Sequence, residues 1–180
     1  MLSIKDSIIL IIDVQEKLVK AANNGEECAI AVEKLAKAAN ILNIPIIVTE
    51  QYPEGLGSTV IGVKQALPTE AAIIEKNSFS AVSEEKIATK LNDFNHKQVI
   101  ICGIEAHICV LQTAINLLKS GYQVHIVKDA VASRNIENLN IGLDLLKHYG
   151  AKISCLEIVL FEWLKTSKHP HFKEIQALIK

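Results

Sequence analysis

"QVIICGIEAHICVLQ", residues 98–112, decides the fold. Its first half is an unbroken apolar run, the signature of a strand buried on both faces, as in a parallel sheet. After Gly103 the period changes to that of a helix, and the change brings Glu105, His107 and Cys109 together. A turn needs none of these side chains, so the stretch is either a reactive site or an ordinary polar helix start.

Five more short aliphatic runs share the pattern: "SIILIID" (7–13), "IPIIVTE" (44–50), "AAIIEK" (71–76), "YQVHIVK" (122–128) and "AKISC" (151–155). Stretches of helical period alternate with them over 27–42, 83–94, 107–120, 136–149 and 157–164, and a last one lies in "FKEIQALIK" (172–180). Alternating strands and helices predict an α/β protein: a Rossmann-like three-layer sandwich, its six-stranded parallel sheet in the order 3-2-1-4-5-6 with helices on both faces. Gly121 and Gly150 stand where helix ends call for positive φ. The longest irregular piece, "QYPEGLGSTVIGVKQALPTE" (51–70), reads as a binding loop or a surface crossover.

Composition narrows the function classes. The 180 residues, 49% hydrophobic, fit one compact domain over 1–180 with a substantial core. With 19 basic and 20 acidic residues the formal charge is -1, and no long like-charge run attracts nucleic acid or an anionic membrane. The apolar start is short and is broken by Asp13, which makes it a strand and not a signal peptide. Four scattered cysteines without a C-x-x-C pair predict a reduced, cytoplasmic protein.

In the predicted order, the carboxyl ends of the strands carry the chemistry. The first strand finishes in Asp13, the third in Lys76, and the fourth leads to Cys109. Taken singly, these are a capping carboxylate, a solvated lysine and a packed thiol. Taken together they make an activated nucleophile: a thiol whose pKa of about 8.5 falls near a cation or a helix N-terminus, a carboxylate to move its proton, and an ammonium to hold the pair. Backbone N–H groups at the turn before the helix would face a developing oxyanion, each worth about 3 to 4 kcal/mol.

The sequence also resembles a family. "LIIDVQ" with Asp13 and Gln15, "IIEKNSFSA" with Lys76 and "GIEAHICVLQTA" with Cys109 look like the signature regions of the isochorismatase-like cysteine hydrolases, the superfamily that includes nicotinamidases. "TEQYPEGLG" (49–57), "KDAVASR" (128–134) and "EIVLFEWL" (157–164) are similar to segments of the isochorismatase domain-containing branch. The resemblance implies an Asp13–Lys76–Cys109 triad that hydrolyses a small amide-type substrate through a thioester. It also implies a cis peptide at Ile104–Glu105, an oxyanion hole formed by the N–H groups of Glu105 and Cys109, and a homo-oligomer. Gln15, Tyr52, Phe79, His107 and Ile108 are the candidates for a substrate pocket, with Gln15 also able to fix the loop after the first strand. Asp129 reads as a helix cap or a supporting residue.

One departure bears on cofactors. Nicotinamidases carry an Asp-x-His metal pattern after the second strand, whereas this chain reads "VTEQYPEGLGSTV" there, without a histidine. No metal and no cofactor are expected. Three rival readings remain: a non-catalytic interaction protein that keeps the fold, a vinyl-ether hydrolase of the isochorismate type, and a redox sensor in which Cys102 resolves Cys109.

Overall fold

The computed structural model describes residues 1–180. Its sheet consists of β1 (Ser7–Ile12), β2 (Ile46–Gln51), β3 (Ala72–Lys76), β4 (Gln98–Ile104), β5 (Gln123–Ala132) and β6 (Lys152–Ser154). All pairings are parallel, in the order β3-β2-β1-β4-β5-β6. Sequence order reverses between β1 and β4, so a crevice opens there at the carboxyl ends of the strands, where sheets of this kind bind ligands.

Alternation along β1 shows how the core divides. Ile9 and Ile11 join a cluster of 30 buried residues on one face, while Ile8, Leu10 and Ile12 join a cluster of 21 on the other. The first face is covered by α2 (Gly25–Ile41), α4 (Ile61–Ala66), α8 (Leu156–Leu164) and α9 (Phe172–Ala177). The second is covered by α5 (Glu85–Phe94), α6 (Leu111–Lys119) and α7 (Ile136–His148). Each isoleucine so enclosed stabilises the fold by roughly 1.5 to 3 kcal/mol, which is why strands buried on both sides read as continuous apolar runs.

Several boundaries differ from the sequence reading, each for a local reason. A short helix, α1 (Glu16–Ala21), precedes α2; with six residues and Val19 as its buried anchor, it is too brief to show a period. The 51–70 segment is built, with α3 (Pro53–Leu56) and α4 inside it. Buried Glu50 pins it by accepting the backbone N–H and Oγ1 of Thr59, both at 2.7 Å. β5 continues to Ala132, so Asp129 lies within the strand; its Oδ1 accepts the N–H of Leu156 at 2.8 Å and caps the start of α8. On α8 itself Trp163 is buried and donates to Ser7 Oγ at 3.0 Å, whereas Ile158 and Phe161 face outward. Gly121 and Gly150 take φ of 84° and 99°, as helix-ending glycines do.

Candidate active site

The ends of neighbouring strands build the site. β1 delivers Asp13, which adopts φ 52°, a left-handed conformation that aspartate tolerates better than most residues. Thr49 on neighbouring β2 fixes it twice: the Asp13 N–H donates to Thr49 O at 3.1 Å, and Thr49 Oγ1 donates to Asp13 Oδ1 at 2.7 Å. The other oxygen, Oδ2, receives no aligned N–H or O–H bond and is matched by charge, with Lys76 Nζ at 2.8 Å. Both side chains of this ion pair are fully buried.

Lys76 is held at the end of β3 by a ring of acceptors. Nζ donates to Gln51 Oε1 at 2.5 Å and to the carbonyl of Ser78 at 3.1 Å, and it lies 3.6 Å from Cys109 Sγ. Gln51 is fixed in turn by Gln15, whose Oε1 accepts the Gln51 N–H at 2.8 Å while its Nε2 donates to the carbonyls of Gln51 and Gly57. Buried ammonium and carboxylate are tolerable only when paired and hydrogen bonded in this way.

The third member arrives through an irregular connection. The β4–β5 register shifts between Ile101 and Gly103, and Gly103 takes φ 121° against β1. A Cβ at this glycine would stand 1.9 Å from Ile12 O, so only glycine fits. The Ile104–Glu105 peptide is cis, and residues Ala106–Val110 form a π-helical turn in which the Val110 N–H reaches the Glu105 carbonyl at 3.2 Å. Such turns concentrate at functional sites. α7 presses onto this one at Gly142, where a Cβ would come within 2.9 Å of His107 Cα.

Cys109 thus meets the Asp13–Lys76 pair, but it does so as a protonated thiol. Burial pushes its pKa up from 9.0 to about 12; the Asp13 charge adds to the rise and Lys76 opposes it. The sequence reading of a thiol lowered by a helix N-terminus is therefore corrected. The sulfur sits inside a π-helical turn ahead of α6, and desolvation outweighs the cation. Cys102 packs into the cluster on the opposite face of the sheet from Cys109, which removes the pairing that a redox sensor needs.

A cavity of about 500 Å³ opens over the sulfur. Phe79 and Ile108 line it, together with Leu18 and Leu56. Gln15, Tyr52 and His107 do not line it. Gln15 is consumed by the hydrogen bonds that tie the loop, Tyr52 is exposed and lies over Gly55, and His107 Nδ1 turns to Ser133 Oγ at 2.9 Å. Sequence reasoning missed Thr49 and Gln51 as site residues: both stand in the segment 49–57, but as single polar residues at a strand end nothing there assigns them a contact. It also missed Lys17 and Arg134; the Glu105 side chain, singled out in the sequence, has its carboxylate on Arg134 at 3.1 Å. No three His, Cys, Asp or Glu side chains converge as metal ligands; at the end of β2, Thr49, Glu50 and Gln51 are all engaged by the chain itself.

Comparison with known proteins agrees with this architecture. The sequence pattern of the Isochorismatase domain matches residues 7–158. Isochorismatase domain-containing protein 2 of Danio rerio is 40% identical over 180 residues, 99% of this chain and 89% of that protein. Secreted isochorismatase effector Isc1 of Phytophthora sojae is 36% identical over 177 residues, 97% of this chain and 84% of that protein. The solved structure of MAR1 ribonuclease from Caenorhabditis elegans matches with a TM-score of 0.95 at 38% identity, covering 99% of this chain and 91% of that one. The strand order, the cavity at the β1/β4 reversal and the match across 7–158 lead to one conclusion: the chain belongs to the isochorismatase family, with the α/β fold of the isochorismatase-like hydrolases.

Proposed function

We propose that this chain is a cysteine-dependent hydrolase of small amide-type C–N bonds that works through a thioester on Cys109, its whole site carried by one domain over 1–180. The observation that carries the reading is the buried contact of Lys76 with Asp13 and with Cys109, the latter two lining the cavity. A thiol with a pKa near 12 is neutral at pH 7, so attack on the carbonyl must be coupled to loss of its proton. Asp13 is the acceptor: Thr49 engages Oδ1, Oδ2 keeps lone-pair capacity, and the carboxylate is near enough to the thiol to raise its pKa.

As the S–C bond forms, the carbonyl oxygen gains negative charge, which the N–H groups of Glu105 and Cys109 stabilise, the role the family resemblance assigns them. Protonated Asp13 returns its proton to the nitrogen as the C–N bond breaks, and ammonia or an amine leaves. Asp13 then takes a proton from water, whose oxygen attacks the thioester; the carboxylic acid departs and the thiol is restored. Lys76 keeps Asp13 oriented and offsets the negative charge that passes between carboxylate and sulfur. No metal or cofactor takes part in this reading, and Gln15 serves it by holding the loop.

Vinyl-ether hydrolysis is the second reading, favoured by the Phytophthora sojae relative, which is described as an isochorismatase effector. Such a reaction needs an acid and a water but no sulfur nucleophile. Small amides, esters, isochorismate and a short RNA, assayed with the unaltered chain and with Cys109→Ala, separate the possibilities; RNA is included because the Caenorhabditis elegans relative is described as a ribonuclease. The expected result is turnover of an amide or ester that Cys109→Ala abolishes. Turnover of isochorismate that survives Cys109→Ala overturns the thioester reading.

The partner is a small molecule, with neither nucleic acid nor membrane, in keeping with a charge of -1 and the absence of any helix long and apolar enough to cross a bilayer. A homo-oligomer belongs to the proposal, supported by the outward stripe of Ile141, Leu145 and Tyr149 along and just beyond α7. So does a cytoplasmic location, supported by four cysteines that are all free thiols.

A further inference from the structure

The grip of Glu105 on Arg134 leaves a binding function open. Glu105 accepts the Arg134 backbone N–H at 2.9 Å and its Nε at 3.1 Å, and the Glu105 side chain is only 7% exposed. Neither Nη group of Arg134 meets an acceptor in the chain, although the residue lines the cavity above Cys109 and its side chain is 63% exposed. A guanidinium is a rigid planar fork, so a carboxylate holding its Nε edge fixes the plane and leaves the Nη edge for another oxyanion.

A second cation lines the same cavity. Lys17 projects from α1, and its Nζ donates to Gly55 O at 2.6 Å, using one of its three protons. Charges in and under the lining pair off as Asp13 with Lys76 and Glu105 with Arg134, which leaves Lys17 in excess. Between these cations and the sulfur the wall is apolar, with Leu18, Leu56, Phe79 and Ile108. A cationic rim over an apolar throat suits a ligand with an anionic end and a short hydrocarbon body.

We propose that Lys17 and Arg134 form an anion-binding collar, with Glu105 as its orienting residue, and that the substrate carries a carboxylate separated by a short apolar segment from the bond that is cut. Which bond is cut rests on the amide-hydrolase reading; the collar itself does not.

The test compares alkylation of Cys109 by iodoacetate and by iodoacetamide at pH 9, read on the Cys109 peptide by mass spectrometry. The two reagents deliver the same carbon to the sulfur and differ in charge. In the unaltered chain at low salt, the iodoacetate-to-iodoacetamide rate ratio is expected to exceed that of glutathione by about tenfold or more, and to fall at high salt. Arg134→Gln is expected to collapse the ratio, with Lys76 still beside the sulfur, and Lys17→Gln to lower it by a smaller factor.

A ratio equal to that of glutathione overturns the collar, as does an equal slowing of both reagents in Arg134→Gln, which would mean that the arginine only shapes the turn. Should that variant fail to fold, Lys17→Gln and the salt series on the unaltered chain decide the same question. A raised ratio in a chain that cleaves no amide keeps the collar and removes the amide reading; a glutathione-like ratio in a chain that cleaves neutral amides does the reverse.

Discussion

Replacing Asp13 by asparagine should move two properties of Cys109 in opposite directions. Asparagine keeps the oxygen that accepts from Thr49 Oγ1 but removes the charge that, after burial, does most to raise the thiol pKa. A unit charge about 4 Å away at an effective dielectric of about 20 contributes roughly 4 kcal/mol, or about three pKa units. With Lys76 left unopposed 3.6 Å from the sulfur, the thiolate becomes more populated. Alkylation by iodoacetamide at pH 8 should therefore accelerate, by ~10-fold to 1000-fold, solvent screening accounting for the lower bound. Hydrolysis should nevertheless fall by about 10²-fold to 10⁴-fold, because no group remains to take and return the proton.

Lys76→Met supplies the opposite sign. It removes the one neighbour that lowers the thiol pKa, so both alkylation and turnover should slow. Each variant strands a buried charge at a cost of about 3 to 5 kcal/mol, so circular dichroism at the assay temperature must show a folded chain. If folded Asp13→Asn alkylates no faster than the unaltered protein, the electrostatic account of the site is wrong.

Alkali should destabilise the protein through its buried thiols. Cys28 and Cys109 are raised from 9.0 to about 12, mainly by burial, so between about pH 9 and 12 the unfolded chain loses protons that the folded chain keeps. Stability is then complete below pH 9 and declines above it; denaturant titrations at pH 8 and 11 should show the loss, and Cys28→Ala should shrink it. Gly103→Ala should cost roughly 3 to 5 kcal/mol, since the new Cβ meets Ile12 O at 1.9 Å on a strand with φ 121°; an unchanged melting temperature would refute the close approach. Thr49→Val should lower kcat more than it raises KM by freeing Asp13, with a structural loss of about 1 to 3 kcal/mol; a pure KM effect would contradict the positioning role.

The sheet is legible in the sequence because its physics is local. Strands enclosed on two faces must be apolar throughout, and handedness of the crossovers then leaves few orders for six of them, which brings Asp13, Lys76 and Cys109 to one end of the sheet. What escapes is set by contacts distant in sequence. Thr49 and Gln51 look like ordinary strand-end polar residues until Asp13 and Lys76 are beside them. The thiol pKa takes the wrong sign when read from sequence because a helix start is visible there and the depth of burial is not. Arg134 stands within "KDAVASR", yet only the Glu105 contact gives its guanidinium an orientation.

The most direct measurement is an acid quench during turnover of a small activated ester or amide, followed by mass spectrometry of the peptide that contains Cys109. The thioester mechanism requires that peptide to gain the mass of the acyl group, and requires hydroxylamine to remove it. Steady turnover with no acyl adduct on Cys109 at any quench time, or undiminished turnover by Cys109→Ala, contradicts the mechanism.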